Sequence, residues 1–241
     1  FTVYGTQLIW PLSEHPFAIS NIFIIDPLYT LPLLLAFLCT LIPKIHTPRI
    51  YKINAAMLVL SSLYLCSSLI LKVIINNKID AAFAHKHIHI NNYVSTPAPL
   101  TTLLWRVVAM SDGQYYISYA SVFDSPEEVT INRYNTSPAL LNDIKNEWGI
   151  KRFHWFTKGF YSVKEQQNKI VLSDLRMGME CYYVFNFAVG EKTNKGVQVS
   201  NFEKLNQRSN LSSLSKVWER IWNPDGSLAP PYADKNCMKT P

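Results

Sequence analysis

One stretch constrains what this chain can fold into: Ile22–Ile42, IFIIDPLYTLPLLLAFLCTLI, carries a single ionisable group, Asp26. Its length and apolarity match the ~20 residues a helix needs to cross ~30 Å of hydrocarbon. The helix start lies inside it. Asp26 is a good N-cap, and Pro27 suits the first helical position, where its missing N–H leaves nothing unpaired. The helix proper then runs Pro27–Ile42, with Pro32 expected to kink it one turn after the cap. At ~1.5 Å per residue it is roughly 24 Å long, a little short of a full span, with Ile22–Ile25 extended at the bilayer edge. Asp26 has two readings. It is a cap at an interface that water still reaches, or a carboxylate facing a functional site, since ionisable residues at membrane depth are expensive. The cap is preferred because it needs no further partner.

A second apolar run, Asn54–Ile75, has Lys72 as its only charge, close enough to the end to snorkel. Its Ser61, Ser62, Ser67 and Ser68 are small enough to let membrane helices pack closely. The intervening Pro43–Ile53 holds Lys44, Arg49 and Lys52. Two spans joined by a basic loop make a transmembrane helical hairpin, and the positive-inside rule puts that loop in the cytoplasm and the rest of the chain on the periplasmic side. Upstream, Phe1–Asn21 is aromatic and mixed, with Trp10, Pro11, His15, Pro16 and Phe17 suited to the headgroup layer. With no initiator Met and no charged signal region, the chain reads as a fragment.

The net charge of +6 comes without a dense Lys/Arg block, so it points to anionic lipid rather than nucleic acid. Cys39, Cys66, Cys181 and Cys237 are scattered, which supports neither a zinc knuckle nor a disulfide framework.

From about residue 76 the composition becomes that of a soluble domain. Leu103–Met110 and Tyr115–Phe123 flank the turn Ser111-Asp112-Gly113-Gln114 as a hairpin, and Val129–Tyr134 adds a short strand. Ser137-Pro138 predicts a helix running to about Trp148. Arg152–Val163 and Lys169–Ser173 form a second hairpin around EQQN, and Cys181–Val189 has the composition of a buried strand. About five or six mostly antiparallel strands and one helix are expected. Beyond Gly190 the chain is expected to be loosely ordered, apart from a short amphipathic helix at Leu214–Trp222. The fold class is therefore an α+β membrane protein. Its parts are an interfacial segment (1–21), two transmembrane helices (22–76), a β-rich domain (77–191) and a polar tail (192–241).

Three groupings bear on chemistry. His85, His87 and His89 would share one face of a strand and two of them could bind a metal, although no Cys or carboxylate stands beside them. Asp174 and Arg176 are read as a strand-end ion pair, with a phosphate-holding role as the alternative. Arg106, a charge in an apolar strand, is assigned an internal ion pair with Asp124 or Asp174. No nucleophile elbow, phosphate-binding glycine loop or H-E-x-x-H motif occurs. Taken alone, these residues do not assemble a catalytic site.

The runs FTVYGTQLIWPLS, IFIIDPLYTLPLLL, SSLYL, PLTTLLWRVVAM, RFHWFTKGFY and DLRMGMECYYVFNF together resemble the bacterial membrane-bound metal-dependent hydrolase family over roughly residues 1–191. The resemblance implies a multi-pass inner-membrane protein whose metal ligands lie in His/Asp motifs immediately before the segment that begins at Phe1. It carries over only flanking motif residues: Tyr4, Gly5, Thr6, Gln7, Trp10, Pro11 and Asp26. Of these, Tyr4, Thr6, Gln7 and Asp26 are the candidates nearest the implied site. It further implies a divalent metal such as zinc, activating water against an ester or phosphoester, with a lipid-like or small ester substrate. The alternative is a non-enzymatic envelope protein whose hairpin anchors a β-rich binding module.

Overall fold

In the computed structural model, which describes residues 1–41, 48–180, 182–194, 196–205, 213–226 and 228, Asp26 starts the first helix, α1 (Pro27–Thr40). Asp26 Oδ1 accepts from Leu28 N at 3.0 Å and from Tyr29 N at 3.4 Å. Its other oxygen accepts the Tyr64 hydroxyl at 2.7 Å. The carboxylate is thus a cap, as expected, but a buried one that also ties two helices together, away from the water expected to reach it. At 14 residues, α1 is about 21 Å long and does not cover the hydrocarbon thickness by itself. The expected helix end at Ile42 and residues 43–47 of the basic loop fall outside the described residues, while the rest of that loop, 48–53, is helical.

The second helix departs most from expectation. Predicted as Asn54–Ile75, it runs unbroken as α2 over Pro48–His85, 38 residues or about 57 Å. Among the described residues it is the one helix long and apolar enough to cross a membrane. A single face accounts for its length. Ser61, Tyr64, Ser68, Lys72, Ile75, Ile79 and Phe83 recur at steps of three and four, so they share one stripe. The lower half of that stripe holds α1 and its approach segment. Ser61 Oγ donates to Tyr29 O at 3.0 Å, and Asn21 Nδ2 donates to Ser68 Oγ at 2.7 Å. The upper half, Ile75, Ile79, Ala82 and Phe83, is buried under a β-sheet. The polar residues after Ile75 hid this continuation, because the composition changes while the apolar period does not. Lys72 does not snorkel freely. Its Nζ donates to Ser20 O at 3.0 Å and to Ser95 O at 2.7 Å, joining the helix to both flanking segments.

The helix ends on His87, whose φ of 51° is left-handed. His87 N donates to Ala84 O at 3.1 Å and Ile88 N to Phe83 O at 3.0 Å, so the last carbonyls are satisfied by a left-handed cap. This corrects the strand expected over His85–His89: His85 closes the helix, His87 caps it, and all three imidazoles are exposed.

Two antiparallel four-stranded sheets follow, as the α+β class requires. The first is a meander of β1 (Asn92–Pro97), β2 (Leu104–Ser111), β3 (Gln114–Ser121) and β4 (Ile131–Asn135). Strand β2 is covered on both faces, hence its nearly continuous apolar run. Trp105, Val107 and Ala109 pack on α2, while Leu104 and Val108 face an opposite core with Tyr115, Ile117, Phe160 and Leu175. By alternation Arg106 belongs to the second face.

The predicted helix after Pro138 is only a 3-10 turn, Pro138–Leu141, in which Ser137 makes no side-chain cap bond. The helix comes later, as α3 (Trp148–Thr157), where a strand was expected. Aromatic composition suggested the strand; the spacing of the buried Ile150, Phe153 and Thr157 is that of a helix and prevails. A left-handed Lys158 and Gly159 stop it. Strands β5 (Tyr161–Gln166) and β6 (Lys169–Asp174) then pair around Gln167-Asn168, both at positive φ as a tight hairpin turn needs. After a short ribbon, β7 (Gly178–Met179) with β8 (Tyr182–Tyr183), β9 (Asn186–Thr193) and β10 (Gly196–Lys204) complete the second sheet in the order β10-β9-β6-β5.

The tail therefore needs correction. A boundary at 191/192 cuts through β9, and β10 pairs along it. The amphipathic helix α4 (Ser213–Trp222) is anchored rather than loose. Arg220 sends Nη2 to Asp124 Oδ2 at 2.7 Å and Nη1 to Oδ1 at 3.1 Å, with both side chains buried.

A candidate anion site at the membrane edge

The segment Phe1–Ile25 threads between helices and sheets. Its N-terminal motif is held by Thr6, whose N donates to Phe17 O at 3.0 Å while its O accepts from Phe17 N at 3.0 Å. Gly5 is required there: at φ 74° a Cβ would stand 2.5 Å from Phe17 O. Tyr4 stacks on Phe156 with centroids 5.4 Å apart, and the Arg176 guanidinium lies 4.9 Å from the Tyr4 ring centroid. Burial first, then Asp174, raises the Tyr4 phenol above its ordinary pKa, with Arg176 opposing in part.

Beside this motif lies a cavity of about 230 Å³. Its walls are Thr2 and Val3 from the N-terminal motif, Ile22–Ile24 from the approach to α1, Thr96–Pro99 from the end of β1, Met177–Met179 from the ribbon, and Val217 and Leu228 from the C-terminal segment. Two guanidiniums, Arg106 and Arg176, line this apolar enclosure, and both side chains belong to buried residues.

Their partners differ. Arg176 is committed to Asp174, through Nε–Oδ1 at 2.9 Å and Nη2–Oδ2 at 2.7 Å. The strand-end ion pair read from the sequence is present, and only Arg176 Nη1 lacks a partner among the described residues. Arg106 has neither carboxylate assigned to it, because Asp124 is taken by Arg220 and Asp174 by Arg176. Its Nη1 donates to Leu175 O at 2.6 Å, the Tyr119 hydroxyl lies beside the guanidinium and the Tyr183 ring centroid is 5.9 Å away, while Nε and Nη2 make no well-formed hydrogen bond among the described residues. Glu180 is close enough to influence it, but its oxygens are occupied by Tyr115 OH at 2.8 Å, Tyr183 OH at 2.7 Å and Lys164 Nζ at 2.7 Å. Burial works against the Arg106 charge; the Tyr119 hydroxyl beside it and the nearby Glu180 carboxylate favour it, and the guanidinium stays protonated. Burial and Glu180 push the Tyr115 and Tyr183 phenols up, so they remain neutral donors. With Asp174 matched by Arg176 and Glu180 by Lys164, one positive charge in this group stays unbalanced.

Such an arrangement can hold an anion. An apolar wall strengthens each hydrogen bond to a bound charge, and two guanidiniums lining one cavity suit the planar or tetrahedral oxygens of a carboxylate or phosphate. Of the sequence candidates, Tyr4 comes nearest through its contact with Arg176. Thr6 serves the backbone bridge, Gln7 Nε2 donates to Glu14 O at 2.9 Å on the surface, and Asp26 caps α1. None of these, and none of His85, His87 and His89, lines the cavity. Among the described residues no three His, Cys, Asp or Glu side chains are placed to hold a metal ion. The sequence reading noticed Arg106 as an anomaly but gave it the wrong partners. Glu180, which occupies the lysine and phenols around it, carried no sequence signal.

Neither the curated proteins nor the solved structures contain a match to this chain. One family model does match, over residues 1–75, and its description is an inner membrane protein with no hydrolase activity attached. Residues 1–75 are thus similar to the YdjM inner membrane protein family, and that likeness, with the apolar length of α2, supports an inner-membrane location.

Proposed function

We propose that this protein is a membrane-anchored binding module that holds an anionic group at Arg106 and Arg176. The observation that carries the reading is Arg106, a buried guanidinium whose Nε and Nη2 make no well-formed hydrogen bond among the described residues, with no carboxylate there bonded to it. Unpaired buried charge is costly, and sites where such cost persists are commonly functional. Calorimetric titration of the full chain in phosphatidylcholine nanodiscs with inorganic phosphate should give saturable binding that Arg106→Met abolishes. No heat from the wild type, or equal heat from the variant, would reject the reading.

The anchoring is proposed as a two-pass hairpin, with α1 completed by its flanking residues. Support comes from the packing of α1 on α2 through Ser61 and Tyr64, and from the exposed Leu31, Leu35, Leu38, Leu63 and Ile70 on their outer surfaces. Single cysteines within Lys44–Lys52 and Asn91–Thr96 should label from opposite sides of the membrane, the latter from the periplasm. Labelling from one side would end the hairpin.

The second reading is the metal-dependent hydrolase. What favours it is that Thr2 and Val3, which open the motif shared with that family, line the anion cavity. In a longer chain bearing the His/Asp motif just upstream, a metal held there would supply activated water. Arg106 and Arg176 would then bind and orient the acidic group of an ester beside it, and the apolar wall would exclude bulk water. The chain starting at Phe1 should hold no stoichiometric zinc, while a chain extended through that motif should hold about one equivalent per chain. Zinc retained by the shorter chain and lost on His87→Ala would move the metal to the exposed histidines instead.

A further inference from the structure

The position of the cavity says more about its ligand than its charge does. Tyr64 OH lies 3.2 Å from Thr102 Oγ1, so the loop after β1 reaches down to residue 64 of α2, within the apolar part of that helix. Lys72 meets Ser95 on β1 about two turns higher, roughly 12 Å along the axis. The wall formed by Thr96–Pro99 lies on the chain between these two fixed points. The opposite wall, Ile22–Ile24, is the segment that leads directly into α1. Ile24 and Ile25 are about half exposed, as are Leu100 and Val184 near the same rim. The arginines are therefore deep, and the rim beside them is apolar and faces the level of the bilayer. A site for a soluble anion would be expected to open on water through polar residues.

Size adds a second limit. The cavity of about 230 Å³ has room for about seven or eight waters at ~30 Å³ each. That accommodates a phosphate with a few methylenes, far short of a whole lipid.

We propose that the ligand is an anionic membrane amphiphile whose phosphate-type head is held by Arg106 and Arg176 while its tail leaves past Ile22–Ile24 into the bilayer. This rests on the anion-site reading above and adds the source of the anion. A lipid that keeps its tail in the membrane needs only head and first methylenes inside, which is what the cavity admits. It also explains why guanidiniums were placed in an apolar enclosure, where a bound phosphate meets little competition from water.

The test uses the full chain in phosphatidylcholine nanodiscs, titrated with inorganic phosphate and with hexyl phosphate. Hexyl phosphate is expected to bind at least about tenfold tighter than phosphate, because each methylene buried adds several-fold. Including dioleoyl phosphatidic acid in the bilayer should weaken apparent hexyl phosphate binding by about tenfold or more through occupation of the site. Ile24→Asn, at the partly exposed rim of the cavity, should shrink the hexyl advantage, read as the ratio of the two probes' affinities measured on the same variant. That variant keeps the test decisive even if Arg106→Met fails to fold. If both probes bind equally and phosphatidic acid has no effect, the amphiphile proposal is overturned while the anion site stands. If neither binds the wild type, or both bind Arg106→Met as well as wild type, the anion site falls too.

Discussion

Arg220→Ala is expected to cost about 3–5 kcal/mol of stability, because it strands a buried carboxylate. Among the described residues Asp124 keeps the Ser121 N–H, at 2.7 Å, and the more distant charge of Lys78 once the two guanidinium bonds are gone. Tyr119 O loses its contact with Arg220 Nη2 at 2.8 Å as well. What remains to hold α4 is the apolar pair Val217 and Ile221, the stack of Trp222 on Phe123 at 5.0 Å and the bond from Ser121 Oγ to Ile221 O at 2.8 Å. Hydrogen exchange should therefore show α4 released first, ahead of the sheets. Denaturant unfolding measures the total loss, and the double variant Asp124→Asn/Arg220→Met should recover a large part of it by removing both charges. A loss under about 1 kcal/mol would mean that α4 is held by its apolar face alone. Because Val217 and Leu228 line the anion cavity, release of α4 also opens that wall, so ligand binding should weaken in parallel with the stability loss.

Arg106→Met should act in the opposite direction. Without anion present, the variant is expected to be about 1–2 kcal/mol more stable than wild type. The gain comes from removing an unpaired charge out of a low-dielectric site, net of the bond to Leu175 O. Methionine fills similar space and tolerates irregular surroundings. Adding phosphate should stabilise the wild type alone, by the amount mass action dictates, and so narrow or reverse the difference. Thermal unfolding with and without phosphate measures both parts. A variant less stable than wild type by more than about 1 kcal/mol would make Arg106 a structural residue.

The contrast between these arginines explains what the sequence could convey. Arg106 sits in an apolar strand and invites an ion-pair reading, whereas Arg220 lies on an amphipathic helix and gives no local sign of one. Partner identity depends on pairing across the fold: Arg220 reaches Asp124 from 96 positions away, and Arg106 reaches Leu175 O from 69 away. Nothing in local pattern fixes such distances. Features that depend on neighbours in the chain were legible. The Asp-Pro start of α1, the turn at Asp112-Gly113 and the Asp174–Arg176 pair are all where local chemistry puts them. The α3 segment was misread because aromatic content favours strands while the buried spacing favours a helix, and both signals occupy the same residues. The cavity was illegible for a different reason. Its walls come from stretches scattered between Thr2 and Leu228, and nothing in the sequence says that they meet.

The unbroken course of α2 has a mechanical consequence. A continuous helix capped at His87 and bonded to the sheet by Lys72 and Lys78 offers no joint between bilayer and β-domain. The domain cannot nod on a stalk; it leans only as far as the helix leans. At about 57 Å, a tilt of roughly 10° carries the far end sideways by about 10 Å. Tilt answers to bilayer thickness, since a long apolar helix relieves mismatch by leaning. The β-domain therefore works as the needle of a gauge whose other end rests in the lipid. The segment Ile22–Ile24, clamped to the same helix by Asn21 and Asp26, moves with that needle rather than against it.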